Sequence, residues 1–300
     1  MVKTEFAVIG GSYAGLSAAL QLARARRDVT VVDAGLRRNR FVDEAGGASH
    51  GFLSRDGMTP AAIAAQARQQ LLAYPTVRWL DGAAEDARQC NEEGFVCRVG
   101  ETVVQALRLI LATGVRDELP TVPGLAERWG RSVFHCPYCH GYEMGTGPIG
   151  IIASSGAALH HALMLPDWGE TTLFVNDAYS PTDEDMAAFA RRGTRVERTR
   201  IVRIEGEADV VLADGRTLYM GGLFTQPRTH IASPVAAQLG CALTTGPTGE
   251  FIQVDGTQQT SVPNVFACGD AARASGNVAL AVADGAMAGF AAHRSTMFSA

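Results

Sequence analysis

A strand, a glycine-bearing turn and a helix over residues 7–25, a second start of the same kind over 148–165, and a length of 300 residues predict an α/β protein of two Rossmann-like dinucleotide-binding folds. Three hundred residues exceed what one hydrophobic core usually holds, so two domains are expected. With 47% hydrophobic residues, 19% charged residues and a formal net charge of −5, the composition is that of a soluble globular protein. That balance points away from nucleic acid and from an anionic membrane as partners.

The first fold opens on Ala7-Val8-Ile9, a buried-strand run, and continues into Leu16 to Ala25, rich in Ala, Leu and Gln as a helix requires. Between them Gly10-Gly11-Ser12-Tyr13-Ala14-Gly15 places a tight turn at a helix N-terminus, where backbone N–H groups and the helix dipole can hold a pyrophosphate. Ser12 stands at the middle glycine position of the G-x-G-x-x-G pattern, and its small side chain still permits close approach. A second strand, Val29 to Val32, ends in Asp33, at the distance from which a carboxylate accepts from a ribose hydroxyl. Phe6 to Ala23 is apolar, but its interrupting glycines and the preceding Glu5 fit strand–turn–helix better than a leader or an anchor. Six cysteines without a secretory leader are expected of a cytoplasmic enzyme with reduced thiols and one redox pair.

Two later stretches bear on the same fold. Leu109-Ile110-Leu111-Ala112-Thr113-Gly114 is a buried strand breaking at a glycine, and Val265-Phe266-Ala267-Cys268-Gly269-Asp270 is another ending in Gly-Asp. After Gly114 come Pro120, Pro123 and Gly124, a crossing between domains; Pro148 to Ile152 then reads as a strand, Ala157 to Leu165 as a helix and Thr171 to Val175 as the next strand. Here Ala153 and Ser155 replace the first two glycines of the G-x-G-x-x-A turn, and no arginine pair follows Val175 to read a 2′-phosphate. Pro227 to Ser233, with Arg228 and His230, reads as a surface loop, the alternative being a segment that lines the cleft after the second crossover.

The chemistry is concentrated in His135-Cys136-Pro137-Tyr138-Cys139-His140-Gly141-Tyr142-Glu143. Two residues between cysteines let both sulfurs reach one reaction centre, and an adjacent proton-transfer group can ionise a thiol or protonate a leaving thiolate. A structural zinc site needs about four ligands. Cys90, Cys97, Cys241 and Cys268 form no second close pair, so no metal is expected and these four read as small buried hydrophobes. His140 is expected to titrate near neutrality, whereas His135 reads equally well as a surface histidine.

The Ala-Thr-Gly and Gly-Asp stretches resemble those of the flavoprotein disulfide reductases, whose two Rossmann-like domains define the pyridine nucleotide-disulfide oxidoreductase type. A Cys-x-x-Cys between the two nucleotide folds resembles the low-molecular-weight thioredoxin reductases over nearly the whole chain. Within that family, Cys-Pro-Tyr-Cys-His-Gly-Tyr-Glu is most similar to the dithiol oxidases that close disulfides in gliotoxin, holomycin and romidepsin; thioredoxin reductases usually carry an acidic residue where His140 stands. The resemblance implies FAD in a discontinuous domain of residues 1–115 and 223–300, and a degenerate nicotinamide-type domain, 116–222, carrying the cysteines.

It further implies FAD contacts from Gly10, Ser12, Tyr13, Ala14 and Gly15 at the pyrophosphate, Asp33 at the adenosine ribose, and Thr113 and Gly114 at the Ala-Thr-Gly turn. Gly269 and Asp270 would serve the ribityl chain and phosphate, Asn277, Val278 and Ala279 the isoalloxazine from a helix N-terminus, and His50 would be a flavin neighbour. Cys139 would lie against the flavin, Cys136 would exchange with substrate and His140 would move the proton. Glu143 could orient an imidazole or be an exposed glutamate. The activity implied is oxidation of a small-molecule dithiol to an intramolecular disulfide, with O2 reduced to H2O2, by a cytoplasmic homodimer. The alternatives are an NAD(P)H-dependent thioredoxin or disulfide reductase, and a non-catalytic flavin redox sensor.

Overall fold

The computed structural model describes residues 1–90 and 94–298, and they divide into two compact units. The first unit comprises Met1–Arg40, Pro60–Arg116 and Thr229–Ala300, and the second Phe41–Thr59 and Asp117–Arg228.

The first unit is built on a seven-stranded sheet in the order Val77–Asp81, Val29–Asp33, Val2–Ile9, Thr102–Leu111, Phe95–Val99 and Ala84–Gln89, with Val265–Ala267 also pairing to Thr102–Leu111. Its central strands are parallel, Ile9 standing beside Val32 on one side and Leu111 on the other, and Ala267 stands beside Leu111 in turn. Parallel strands of this kind are covered on both faces and read as near-continuous hydrophobic runs, and Phe6, Ala7, Val8 and Ile110 are fully buried. The helix Tyr13–Arg24 begins earlier than its apolar pattern indicates, because Ser12 adopts the extended conformation of an N-cap. It packs on the last helix, Val278–Arg294, where the Ser17 hydroxyl donates to the Val282 carbonyl at 2.7 Å.

The second unit holds a fully parallel five-stranded sheet in the order Arg195–Glu197, Thr171–Phe174, Ile149–Ile152, Gly222–Phe224 and Val133–Phe134. An antiparallel three-stranded sheet, Ile201–Glu205, Asp209–Leu212 and Thr217–Leu218, accompanies it. Two boundaries differ from the sequence reading. Gly222–Phe224 lies between Ile149–Ile152 and Val133–Phe134, so the chain leaves this unit after Arg228 rather than at residue 223. Phe41–Thr59 also belongs to the second unit although it is bracketed in sequence by the first.

Two local readings change as well. Arg228–Ile231 is a strand rather than a loop, in keeping with the β-branched Thr229 and Ile231. The helix expected over 157–165 is Ala158–Met164, and it tightens into a 3₁₀ turn at Leu165–Asp167 because Pro166 has no N–H to continue the ladder. Among the described residues no helix is long and apolar enough to cross a membrane.

Candidate functional site

In the first unit the turn between Ile9 and Tyr13 is pressed against the neighbouring strand end. Gly10 has φ +109° and donates its N–H to the Val32 carbonyl at 2.8 Å; a Cβ there would collide with the Ala112 carbonyl. Only glycine meets both conditions. The first intrahelical bond runs from Leu16 N–H to the Ser12 carbonyl, so the Tyr13, Ala14 and Gly15 amides belong to the turn that has no intrahelical acceptor. The Tyr13 side chain is a packing element, its hydroxyl donating to the Pro60 carbonyl and accepting from Asn39 Nδ2. Asp33 Oδ1 accepts from the Gly11 and Gly35 N–H groups, each at 3.2 Å, which fixes the carboxylate against the turn.

Thr113 and Gly269 complete the cradle. Thr113 Oγ1 is buried with no protein partner among the described residues, the condition of a hydroxyl built for a ligand. Gly114 follows it at φ +66°. Gly269 has φ +69° and a Cβ there would stand 2.8 Å from Ala14 Cβ and 3.8 Å from Ala281 Cβ, so the Gly-Asp stretch, the first helix and the last helix converge at one point. Asn277 caps that last helix by accepting from Leu280 N–H at 2.8 Å, and Val278 and Ala279 form its first turn. Asp270 pairs with Arg38 at 3.0 Å, a partner no sequence signal indicated. An orphaned hydroxyl, a turn with no room for a Cβ and a helix N-terminus together fit a dinucleotide.

In the second unit Val133–Phe134 leads through His135 into Cys136, which is extended at φ −118° and ψ 109° and precedes the single helical turn Pro137–His140. Pro137 at the first helical position loses no hydrogen bond, since that N–H would have had no acceptor. Cys136 and Cys139 are joined as a disulfide with Cα atoms 5.3 Å apart. The remaining thiols are poor competitors: Cys97, Cys241 and Cys268 are buried, and burial pushes Cys97 up to about 11 and Cys268 up as well. Cys90 departs from the reading as a buried hydrophobe, being half-buried.

His140 stacks on Phe134 with centroids 4.1 Å apart and planes 21° apart. Burial, with His50 alongside as the smaller cause, pushes its imidazole down to about 4, which corrects the expectation of titration near neutrality. His50 Nε2 stands 3.4 Å from Glu143 Oε1 and its Nδ1 3.7 Å from Asp56 Oδ1. Glu143 therefore faces an imidazole, that of His50 and not of His140. His135 packs its ring 5.9 Å from that of Trp129. Tyr138 is exposed, with its ring edge-on to Trp168 at 5.3 Å.

His161 was not legible in advance. It is 2% exposed, packs edge-on to Phe224, donates to the His135 backbone carbonyl and leaves Nδ1 without a partner among the described residues. Burial, followed by the charge of His160, pushes it down to about 4 against the opposing effect of the His135 bond.

The second glycine-poor turn consumes its own hydrogen-bonding groups. Ser155 Oγ accepts from Ala157 N–H at 3.2 Å, the Ser155 carbonyl accepts from Ala158 N–H, and Ser154 donates to the Gln226 carbonyl. Tyr179 lies alongside, its ring 4.0 Å from where a Cβ on Gly156 would stand. Asn176, at the end of the next strand, is turned inward to accept from Ile201 N–H at 3.0 Å.

The comparisons with known proteins agree with this arrangement. The chain is 34% identical to a protein named thioredoxin reductase tcpT of Claviceps purpurea, over 94% of this chain and 91% of that one, and 30% identical to thioredoxin reductase sirT of Leptosphaeria maculans with the same coverages. An oxidoreductase structure from Agrobacterium tumefaciens superposes with a TM-score of 0.95 at 55% identity over the whole of both chains. The structure of HlmI does so at 0.89 and 35% identity, over 98% of this chain and 92% of that one. Such kinship implies a flavin cofactor, in agreement with the cradle. A family model described as pyridine nucleotide-disulphide oxidoreductase matches residues 4–286, and the chain belongs to that family.

Proposed function

We propose that this protein is an FAD-dependent dithiol oxidase that closes an intramolecular disulfide in a small-molecule dithiol and passes the electrons to O2 as H2O2. The observation that carries the reading is the contrast between an intact Cys136–Cys139 disulfide and a nucleotide turn whose Ala157 and Ala158 amides are already bonded to Ser155. A nicotinamide pyrophosphate would have to displace those bonds, and the missing glycines crowd its approach. Kinship to HlmI, tcpT and sirT supports thiol–disulfide chemistry at the cysteine pair.

FAD would be held by Gly10, Ser12, Tyr13, Ala14 and Gly15, Asp33, Thr113 and Gly114, Gly269 and Asp270, and the Asn277-Val278-Ala279 helix start. When bound, it supplies the two-electron acceptor that returns the enzyme dithiol to the disulfide. The chain's own residues perform the exchange. A substrate thiolate attacks Cys136 Sγ, the Cys136–Cys139 bond breaks and Cys139 departs as thiolate. The second substrate thiol then attacks the substrate sulfur of the mixed disulfide, releasing Cys136 and the cyclic product. Two electrons pass from substrate to the cysteine pair, and two protons leave the substrate thiols. His140, neutral above about pH 4, is in the form that accepts a proton beside Cys139. The family resemblance supports a homodimer, and a single redox pair among otherwise reduced cysteines supports a cytoplasmic location.

A second reading, an NAD(P)H-dependent disulfide reductase, is favoured by the names of the two fungal relatives. Oxygen-electrode assays with dithiothreitol separate the two. Oxygen uptake with peroxide formation and no added nicotinamide is expected. Turnover that needs NADPH and is indifferent to oxygen would make the chain a reductase.

A further inference from the structure

The thiol–disulfide exchange releases protons, and His140 is a poor place to keep one: with its imidazole at about 4, roughly one molecule in a thousand would hold it at pH 7. A second imidazole, that of His50, stands alongside, set between two carboxylates. The segment carrying His50 is fastened into a closed loop, with Ser49 N–H donating to Met58 at 2.8 Å and Gly57 N–H donating back to Ser49 at 3.0 Å. It packs against the cysteine turn, since a Cβ on Gly51 would stand 3.9 Å from the Tyr138 carbonyl. Asp56 is itself anchored by Gly51 N–H at 2.7 Å, so its carboxylate is presented to His50 by the loop backbone.

The charged and titratable groups facing His50 are Asp56 from its own loop, Glu143 from the 3₁₀ turn Tyr142–Met144 and His140 from the cysteine turn. Both ring nitrogens of His50 thus face carboxylates. A neutral imidazole offers one N–H and one lone pair, and only the ring protonated on both nitrogens donates to both partners. Glu143 and Asp56 are partly exposed, at 41% and 67%, which opens a route from the ring to solvent.

We propose that His50, held between Glu143 and Asp56, is the proton store of the thiol–disulfide site: it receives through His140 the proton a substrate thiol releases and returns it to a departing cysteine thiolate or to solvent. The balance is one proton per thiol, with the electron pair remaining on sulfur. His50 acts through His140 and is a positioning residue. This rests on the Cys136–Cys139 pair being the exchange site and is independent of oxygen as acceptor.

The test measures attack on the disulfide itself. The holoenzyme is mixed anaerobically with dithiothreitol between pH 6 and 9.5, quenched with an alkylating reagent, and the released thiols are counted by intact mass. His50→Gln is expected to slow reduction by about 100-fold at pH 6.5, the low end for loss of a proton-transfer group. The deficit shrinks to within about threefold at pH 9.5, because the reagent thiol is then largely ionised and needs no acceptor. Glu143→Gln, a partly exposed change that leaves the loop bonds intact, carries the same pH signature at smaller amplitude and serves where His50→Gln fails to fold. A deficit equal at both ends of the pH range, or none at pH 6.5, overturns the proposal. A wild-type disulfide inert to dithiothreitol at every pH instead removes the exchange site, and with it both this inference and the proposed function.

Discussion

Replacing His161 by leucine should make the protein less sensitive to acid while leaving it nearly as stable at neutral pH. In the folded state burial holds the imidazole down to about 4 from an ordinary 6.5, so between those values the unfolded chain binds the extra proton. Stability from this group is fully present above about pH 6.5 and is lost as the pH falls towards 4. At pH 5 the loss amounts to about 2 kcal/mol, from the ratio of the two protonation polynomials.

At neutral pH the opposing terms for His161→Leu nearly cancel. The change forfeits the bond to the His135 carbonyl, worth about 1 kcal/mol, but it removes a buried Nδ1 that has no partner among the described residues, a cost of about 1–3 kcal/mol. Leucine also suits the apolar contact with Phe224. The assay is denaturant unfolding of both proteins at pH 7.5 and 5. Taking the difference between them cancels every other titrating group, including His140, whose own depression to about 4 acts with the same sign. A gap that shifts by about 2 kcal/mol in favour of His161→Leu on going to pH 5 is expected. An identical pH slope in the two proteins would refute the reasoning.

Three further outcomes are expected. Gly10→Ala should lower stability by about 2–5 kcal/mol, because the new Cβ meets the Ala112 carbonyl at an unfavourable φ, and should lower flavin occupancy of the purified protein; full occupancy with an unchanged melting temperature would contradict the cradle. Cofactor released by heat from wild-type protein should chromatograph as FAD, and FMN in its place would overturn the assignment of a dinucleotide to Gly10–Gly15. Cys136→Ser and Cys139→Ser should each abolish dithiol oxidation, with a long-wavelength absorbance band retained only in Cys136→Ser; the reverse pattern would exchange the roles of the two cysteines.

Local sequence was sufficient wherever the physics is local. Val29–Asp33 and Val265–Ala267 read as buried strands because parallel strands demand unbroken apolar runs, and Gly10 and Gly269 announced turns because only glycine tolerates their backbone and crowding. Cys136 and Cys139 needed only their spacing to be paired. Distance along the chain hid the rest. The proton affinity of His140 depends on Phe134 beneath it and on His50, ninety residues earlier, since burial and neighbouring charge are properties of packing. Glu143 reads from sequence as a group that orients an imidazole or as an exposed glutamate, and only the fold shows that the imidazole it meets is that of His50. The pairing of Arg38 with Asp270 and the inclusion of Gly222–Phe224 in the second parallel sheet follow from which strands neighbour one another. Sequence thus determined the residues capable of thiol chemistry and of cradling a phosphate, whereas tertiary structure decided which of them titrate and which carboxylate serves which imidazole, because electrostatic energies are set by through-space distance and dielectric.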